Sequence, residues 1–446
     1  MMNTPICDFV RAYRDSKRLR LHMPGHKGSA VIGPEGLDIT EIDGADVLYS
    51  AKGIIRESEE NASSLFGSGL TLYSAEGSSL SIRAMVYLAV LYAKQQNRRP
   101  LIAAARNAHK VFMTAAALTG AEIRWLFPRE PGSVVSCVLD PADVECVLRD
   151  EQPAALYVTS PDYLGQLADV RTLSALCRRY GTLLLVDNAH GAYLKFLPDS
   201  QHPLDLGADM CSDSAHKTLP VLTGGGYLHI SKEAPALLRT HAENALSLFA
   251  STSPSYLILQ SLDHANRILA GDFGSRLHAL ACVLNEARAK LASFGYEIIS
   301  GEAMKLTLGT KIIGWRGDEL DAYLMANGVN AEFADPDFLV MMFSPEINGD
   351  DVQRVVSLLT SVSKKPALSD RPPVLALPVQ RMSPRDAMFS VQETLPVGNA
   401  ISRVLSSASV TCPPAVPIVV CGEEIDETAA ACFRYYGIET CTVVKE

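Results

Sequence analysis

The sequence lacks several features that would place a protein in a specialised class. No run of about 18 apolar residues offers a membrane-spanning helix, and the polar start has no apolar segment of a signal peptide. The 10 cysteines are scattered without a Cys-x-x-Cys pair, which argues against a disulfide scaffold and a metal cluster. Basic residues number 40 and acidic residues 50, a net charge of −10, which disfavours nucleic acid as the main partner. We therefore expect a soluble, cytoplasmic protein without a metal site.

The pattern of apolar residues predicts an α/β fold. With 446 residues, of which 48% are hydrophobic and 20% charged, the chain should form two or three domains with well-packed cores. Short apolar runs alternate with amphipathic stretches from about residue 64 to 230, as in βαβ units with a mostly parallel sheet. The clearest predicted strands are 101–104, 155–159 and 182–186. Predicted helices begin after Asp140 and Asp169, both suited to cap a helix N-terminus.

Composition also suggests where domains begin and end. We predict an N-terminal segment over 1–45, a large domain over 46–290 and a smaller α/β domain over 291–363. A charged, proline-bearing linker then leads into a C-terminal domain over 364–446.

A phosphate site is predicted at Gly77, Ser78 and Ser79, which follow a strand-like segment and open a helical one. Backbone N–H groups, the positive end of the helix dipole and two hydroxyl groups all suit a phosphate. A serine that simply caps the helix would give the same local pattern.

Three further residues are candidates for chemistry. Asp187 ends a predicted strand, where ligands bind in open α/β sheets, and its carboxylate could keep a heterocyclic nitrogen protonated or merely cap the next turn. Lys217 stands between apolar runs, so burial would lower the pKa of its amine and favour nucleophilic attack; a surface lysine in a polar turn is the alternative. His109 could lie against a planar ligand or be a solvated loop residue.

Together these parts are what a pyridoxal phosphate site requires, and the chain resembles the Orn/Lys/Arg decarboxylase family of group III, fold type I pyridoxal-phosphate enzymes. It looks like a short form without the N-terminal wing domain. The matching stretches are LHMPGHKGS (21–29), DITEIDGADVL (38–48), AEGSSLSIRAM (75–85), NAHK (107–110), TSPDYLG (159–165), VDNAHGAY (186–193), SDSAHKTLPVLTG (212–224), STSPSYLILQSLD (251–263), MSPRDAMF (382–389) and CPPAVPIVVCGEEI (412–425).

The resemblance implies an aspartate aminotransferase-like large domain, a homodimer with shared active sites, and decarboxylation of arginine, lysine or ornithine to a polyamine precursor. It also implies roles for single residues. Lys217 would bind the cofactor covalently, Asp187 would pair with the pyridine nitrogen and His109 would stack on the ring. The phosphate would be held by Ser78, Ser79 and Ser214, and the site would be lined by His190 and His216. Lys217 and His216 are both candidates for the acid that reprotonates the substrate's α-carbon.

A cationic substrate also needs a carboxylate at the far end of its pocket, and Glu423 and Asp162 are the candidates. The chain departs from the family pattern at Asn188, where an acid is usual, and at 224–226, where three glycines replace a glutamine-bearing segment. Two other functions stay open: an aminotransferase or lyase, with Arg316 or Arg385 binding the α-carboxylate, and a non-catalytic relative that binds the cofactor.

Overall fold

The computed structural model describes residues 2–128, 137–299, 301–411 and 416–446. These form two compact units, the first made of residues up to 98 and 170–275, the second of 99–169 and 276–446. The start of the predicted C-terminal match, 412–415, lies outside the described residues. Whether the chain divides at the four predicted segments stays a prediction.

The helices and strands alternate over the first half of the chain. The helices are α1 (Pro5–Asp15), α2 (Ile54–Phe66), α3 (Gly77–Gln95), α4 (Lys110–Thr119), α5 (Pro141–Glu151), α6 (Val170–Tyr180), α7 (Ala215–Thr218), α8 (Ala236–Ser247), α9 (Tyr256–Leu269), α10 (Phe273–Phe294), α11 (Gly317–Ala326), α12 (Gly349–Ser361), α13 (Pro384–Phe389) and α14 (Glu427–Tyr435). The strands are β1 (Leu70–Ser74), β2 (Leu101–Ala105), β3 (Glu122–Leu126), β4 (Ala155–Thr159), β5 (Leu183–Asp187), β6 (Met210–Asp213), β7 (Gly226–Ile230), β8 (Glu297–Ile298), β9 (Lys305–Gly309), β10 (Phe333–Ala334), β11 (Phe338–Met342), β12 (Gln392–Pro396), β13 (Ser409–Thr411), β14 (Pro417–Val420) and β15 (Thr440–Val444).

In the first unit the strands lie in the order β1, β7, β6, β5. Strands β5 and β6 pair in parallel, with Asp187 opposite Ser212, whereas β7 is antiparallel to both of its neighbours. Helix α3 packs on β6 and β7. Because β5 and β6 run in the same direction, their carboxyl ends meet at one edge of the sheet, and this edge carries the residues predicted to be functional.

The second unit contains the parallel strands β4, β2 and β3 in that order. It also contains an antiparallel sheet in the order β10, β11, β9, β8 and two small two-stranded sheets, β12 with β15 and β13 with β14. Leu405, Ile418 and Phe433 belong to the core that covers the last two pairs. No helix in the described part of the chain is long and apolar enough to cross a membrane.

The three predicted strands are confirmed as β2, β4 and β5, with ends displaced by at most one residue. Both predicted helix starts are confirmed as α5 and α6. The side chain of Asp140 accepts the backbone N–H of Ala142, which caps α5, and Pro141 occupies its first position. Local capping signals are reliable here because they act within one turn of helix.

Glu59, on α2, is a carboxyl group enclosed by the first unit and only 2% exposed. It accepts the backbone N–H of Tyr73 at 3.0 Å, and the guanidinium of Arg56 lies 3.8 Å away. Burial raises the pKa of Glu59 to about 8, although the N–H group and Arg56 oppose the shift. The folded chain therefore holds a proton on Glu59 more tightly than the unfolded chain does.

We predict that Glu59→Gln changes how stability depends on pH. In the native protein, stability is lost as the pH rises from the ordinary value of 4.5 to about 8, because only the unfolded chain releases the proton in that window. Glutamine cannot ionise, so the stability of the variant relative to the native protein should increase across this window. Urea unfolding at pH 5, 6.5 and 8 measures the difference, with the exposed neighbour Glu60 changed to Gln as control. Equal pH slopes for Glu59→Gln and native protein would contradict the prediction.

Candidate functional site

The segment predicted to bind phosphate forms the first turn of α3. The helix begins at Gly77, after Glu76, and no side chain caps it, so the interpretation of Ser78 or Ser79 as an ordinary cap is wrong. Ser214 donates its hydroxyl to that of Ser78 at 2.7 Å, and Ser212 donates to the carbonyl of Ser78 at 3.3 Å. Two hydroxyl groups thus lie together at the positive end of a 19-residue helix, an arrangement suited to an anion.

The three glycines at 224–226 have a packing role beside this turn. A Cβ on Gly226 would lie 3.0 Å from the carbonyl carbon of Gly77 and 3.2 Å from the nitrogen of Ser78. Gly224 has a φ of +99° and its carbonyl accepts the N–H of Gly77 at 2.6 Å. Without side chains, this segment can approach the first turn of α3 closely and help to fix its position.

Asp187 is the last residue of β5 and is 2% exposed. Its Oδ1 accepts the N–H of Ala189 at 3.2 Å. The carboxylate therefore does stabilise the next turn, as the simpler interpretation predicted, and it also lies at the strand end where ligands bind in this class of sheet.

Lys217 lies on the short helix α7, and its Nζ is 2.9 Å from Nε2 of His190, which is 5% exposed. The neighbouring His216 donates its Nδ1 proton to the carbonyl of Gly225 at 2.9 Å, since a carbonyl can only accept. The prediction that Lys217 is buried is wrong for this chain, because its side chain is exposed. The amine is held at a strand-end surface by a histidine contact and is not enclosed in the core.

His109 and the two predicted substrate carboxylates belong to the second unit. His109 caps α4, since its Nδ1 accepts the N–H of Val111 at 3.3 Å, and its side chain is exposed. Asp162 is 4% exposed and accepts the N–H of Gln166 at 2.8 Å. Burial raises the pKa of Asp162 to about 6, against the effect of Gln166 and Lys305.

Glu423 is engaged by a partner that the sequence did not reveal. Both of its carboxylate oxygens accept from Arg106, each at 2.7 Å, and one also accepts the N–H of Val420 at 2.8 Å. Arg106 is 2% and Glu423 1% exposed. Glu423 also lines a cavity of about 450 Å³ with Trp125 and Phe127. Arg106 directly follows β2, but no local pattern connects it to a residue 317 positions away.

The two arginines considered for an aminotransferase both have protein partners. Arg316 pairs with Asp318, with Nε 2.9 Å from Oδ1, and Arg385 donates to the carbonyl of Ala117 at 2.8 Å. Both guanidinium groups are therefore engaged by protein groups, and the structure gives the aminotransferase alternative no specific support.

A second residue that sequence reasoning missed is Asp213, the last residue of β6, which is fully buried. It lies immediately before Ser214 in a stretch rich in short polar side chains, where an acid is easily overlooked. Its only signal in the sequence is that it precedes the lysine by four positions.

The residues of the first unit fit pyridoxal phosphate. Ser78 and Ser214 offer hydroxyls at a helix N-terminus, Asp187 offers a buried carboxylate for a ring nitrogen, and Lys217 offers a primary amine. These three chemical groups match the phosphate, the pyridine nitrogen and the aldehyde of the cofactor.

Comparison with known proteins identifies the same chemistry. The family model described as "Orn/Lys/Arg decarboxylase, major domain" matches residues 4–305. The arginine decarboxylase of Bacillus subtilis (strain 168) is 28% identical over 459 residues, covering 95% of this chain and 91% of the relative. The arginine decarboxylase of Halalkalibacterium halodurans is 28% identical, covering 97% and 93%.

Solved structures share the fold. The lysine decarboxylase of Francisella novicida has a TM-score of 0.80 at 17% identity, covering 98% of this chain and 79% of that one. The constitutive lysine decarboxylase of E. coli has a TM-score of 0.77 at 17% identity, covering 99% and 82%. Fold and family model together define a fold type I, pyridoxal-phosphate-dependent decarboxylase. The chain belongs to the Orn/Lys/Arg decarboxylase family.

We predict that breaking the Arg106–Glu423 pair destabilises the protein strongly. Arg106→Leu leaves a buried carboxylate without its guanidinium, which should cost about 3–5 kcal/mol. Arg106→Leu combined with Glu423→Leu should recover part of the loss, because no uncompensated charge remains. Urea unfolding measures both, and Arg149→Ala, which removes the exposed pair with Asp150, is the control expected to change stability by less than about 1 kcal/mol. A loss for Arg106→Leu no larger than that of the control would refute the prediction.

Proposed function

We propose that this enzyme decarboxylates L-arginine to agmatine and carbon dioxide. The observation that carries the proposal is the group of relatives named arginine decarboxylase, 27–28% identical over 94–97% of this chain. Membership of the family limits the substrate to a basic amino acid, and the names of these full-length relatives favour arginine. Agmatine is a polyamine precursor, so we also propose a role in polyamine synthesis, in the cytoplasm.

The first unit supplies the groups that would hold the cofactor. The first turn of α3 with Ser78, Ser79 and Ser214 would bind the phosphate, and the buried carboxylate of Asp187 would keep the ring nitrogen protonated through a charge-assisted hydrogen bond. Bound pyridoxal phosphate supplies an electron sink for the bond that breaks at the α-carbon. Gly77 and His216 lie together at this site, since a Cβ on Gly77 would be 3.4 Å from Cε1 of His216.

His190 is placed to hold the amine of Lys217, because their nitrogens lie 2.9 Å apart. The amine of Lys217 would be one candidate for the acid that reprotonates the substrate's α-carbon. His216 is the other candidate, and its Nδ1 proton is already committed to Gly225. We propose that His109 stacks on the cofactor ring, as the family resemblance implies.

Glu423 and Asp162 stay our proposed partners for the substrate's guanidinium. They differ in their present contacts: Arg106 occupies both oxygens of Glu423, whereas Asp162 is held by the backbone of its own turn. For Glu423 to bind the substrate it would have to share its carboxylate with Arg106, so the contacts favour Asp162 as the residue to examine first.

We predict a clear preference for arginine in a substrate panel. Holoenzyme incubated with arginine, lysine and ornithine should release carbon dioxide fastest with arginine and form agmatine, detected by chromatography. Lys217→Ala is the control: without the amine, product should fall to background, and the visible absorbance of bound cofactor should change. A higher kcat/KM with lysine or ornithine would overturn the choice of arginine, and keto-acid formation would reveal a different reaction.

We also propose that the protein is a homodimer whose active sites are shared between subunits. The segment from 19 to 32 exposes Leu19, Leu21 and Ile32, each more than 80% accessible. Large apolar side chains grouped on one short segment are typical of a surface that another chain covers. Sedimentation velocity of the holoenzyme should therefore give twice the mass of one chain, and Leu21→Ser with Ile32→Ser should weaken association. A monomer at micromolar concentration would contradict the proposal.

A further inference from the structure

A fully buried cluster of polar side chains surrounds Asp213 at the end of β6. One carboxylate oxygen accepts from the amide nitrogen of Asn188 at 2.7 Å. The other lies 3.0 Å from Nε2 of His202 and 3.3 Å from Nε2 of His229. All four side chains have no exposed surface. A carboxylate so far from water is stable only when such partners satisfy it.

The cluster keeps Asp213 negatively charged. Burial by itself would raise the pKa of Asp213, but the two histidines outweigh burial and hold the pKa below its usual range. Burial lowers the pKa of His229, against the opposing effect of Asp213. Thr71 bonds the other ring nitrogen of His229 at 2.8 Å, which fixes the orientation of that ring.

Asp213 connects the two segments that carry the proposed cofactor residues. Asn188 follows Asp187 and precedes His190 by two positions, while Asp213 precedes Ser214 and lies four positions before Lys217. The backbone N–H of Asn188 donates to the carbonyl of Ser212 at 3.0 Å, just beyond the paired residues of β5 and β6. The Asn188–Asp213 bond extends this connection through side chains.

The side chain of Asp213 lies on the face of the sheet opposite to the phosphate turn. Successive residues of a strand point to opposite faces of the sheet, and Ser212 points to Ser78. Asp213 therefore points to the other face, among Asn188, His202 and His229.

We propose that Asp213 is a positioning residue. Through its bond to Asn188, its buried carboxylate fixes the position of Asp187 relative to Lys217. The inference rests on the proposed roles of Asp187 and Lys217. It also explains the departure at Asn188: an amide there donates to Asp213, whereas an acid would set two carboxylates against each other and favour protonation of one.

Four variants test this role. Asn188→Asp removes the amide donor and adds a like charge. Asn188→Ala removes the donor alone and leaves the contacts of Asp213 with His202 and His229 in place. Asp213→Asn removes the central charge, and the double change N188D/D213N restores a carboxylate–amide pair with the groups exchanged. Asp209→Asn is the matched control, because Asp209 lies at the other end of β6 and its carboxylate accepts the N–H of Leu184 at 2.7 Å.

The readouts are the dissociation constant of pyridoxal phosphate, the visible circular dichroism of the bound cofactor, and kcat and KM. We expect Asn188→Asp and Asp213→Asn to lower kcat by about 10–100-fold, the scale of a small displacement of reacting groups. We expect both to weaken cofactor binding and alter the dichroism. Asn188→Ala should do the same to a smaller extent, the double variant should recover at least part of each loss, and Asp209→Asn should leave all readouts near native.

Three results would overturn the proposal. One is a shift in thermal stability alone, with cofactor dichroism and affinity unchanged in Asn188→Asp and Asn188→Ala. Another is a double variant no better than the worse single one. The third is stoichiometric zinc in the purified native protein, because His202, Cys211 and Asp213 have donor atoms within 4.8 Å of one another and would then ligate the ion. Failure of arginine turnover would count against the proposed substrate only, since the cofactor readouts need no substrate.

Discussion

The parallel pairing of β5 with β6 is the interaction on which the site depends. It sets Asp187 opposite Ser212, so the residues that follow both strands emerge at the same edge. From there the chain continues on one side to His190 and on the other to Ser214 and Lys217. The 2.9 Å contact between His190 and Lys217 closes this arrangement. Without the strand pairing, residues separated by 27 positions would have no reason to meet.

Burial of charge is the second constraint, and both units meet it by pairing. In the first unit Asp213 is surrounded by an amide and two imidazoles. In the second, Arg106 and Glu423 form a two-bond pair almost without exposure. Each cluster removes a carboxylate from water and gives both of its oxygens polar partners, which makes its geometry specific and its disruption costly. Asp213 directly precedes Ser214 and bonds Asn188, so it lies beside the segments proposed to hold the cofactor.

The departures from the family pattern become understandable in these terms. Asn188 is the donor that the carboxylate of Asp213 requires. The glycines at 224–226 remove side chains where the backbone of β7 meets the first turn of α3, where a Cβ on Gly226 would lie 3.0 Å from backbone atoms. Both positions therefore contribute to the packing and hydrogen bonding around the site.

The sequence by itself determined three strands of the fold, two helix starts and the chemical type of the site, because these depend on local periodicity, capping residues and ordered motifs. It also indicated the cofactor, since a phosphate turn, an acid at a strand end and a lysine follow one another along the chain in the order that a pyridoxal phosphate site requires. Only the tertiary structure decided that Lys217 is exposed, that Glu423 is bonded to Arg106, and that Asp213 joins Asn188. The physical reason is that burial and ion pairing depend on residues far apart in the chain, and no local pattern specifies which of them come together.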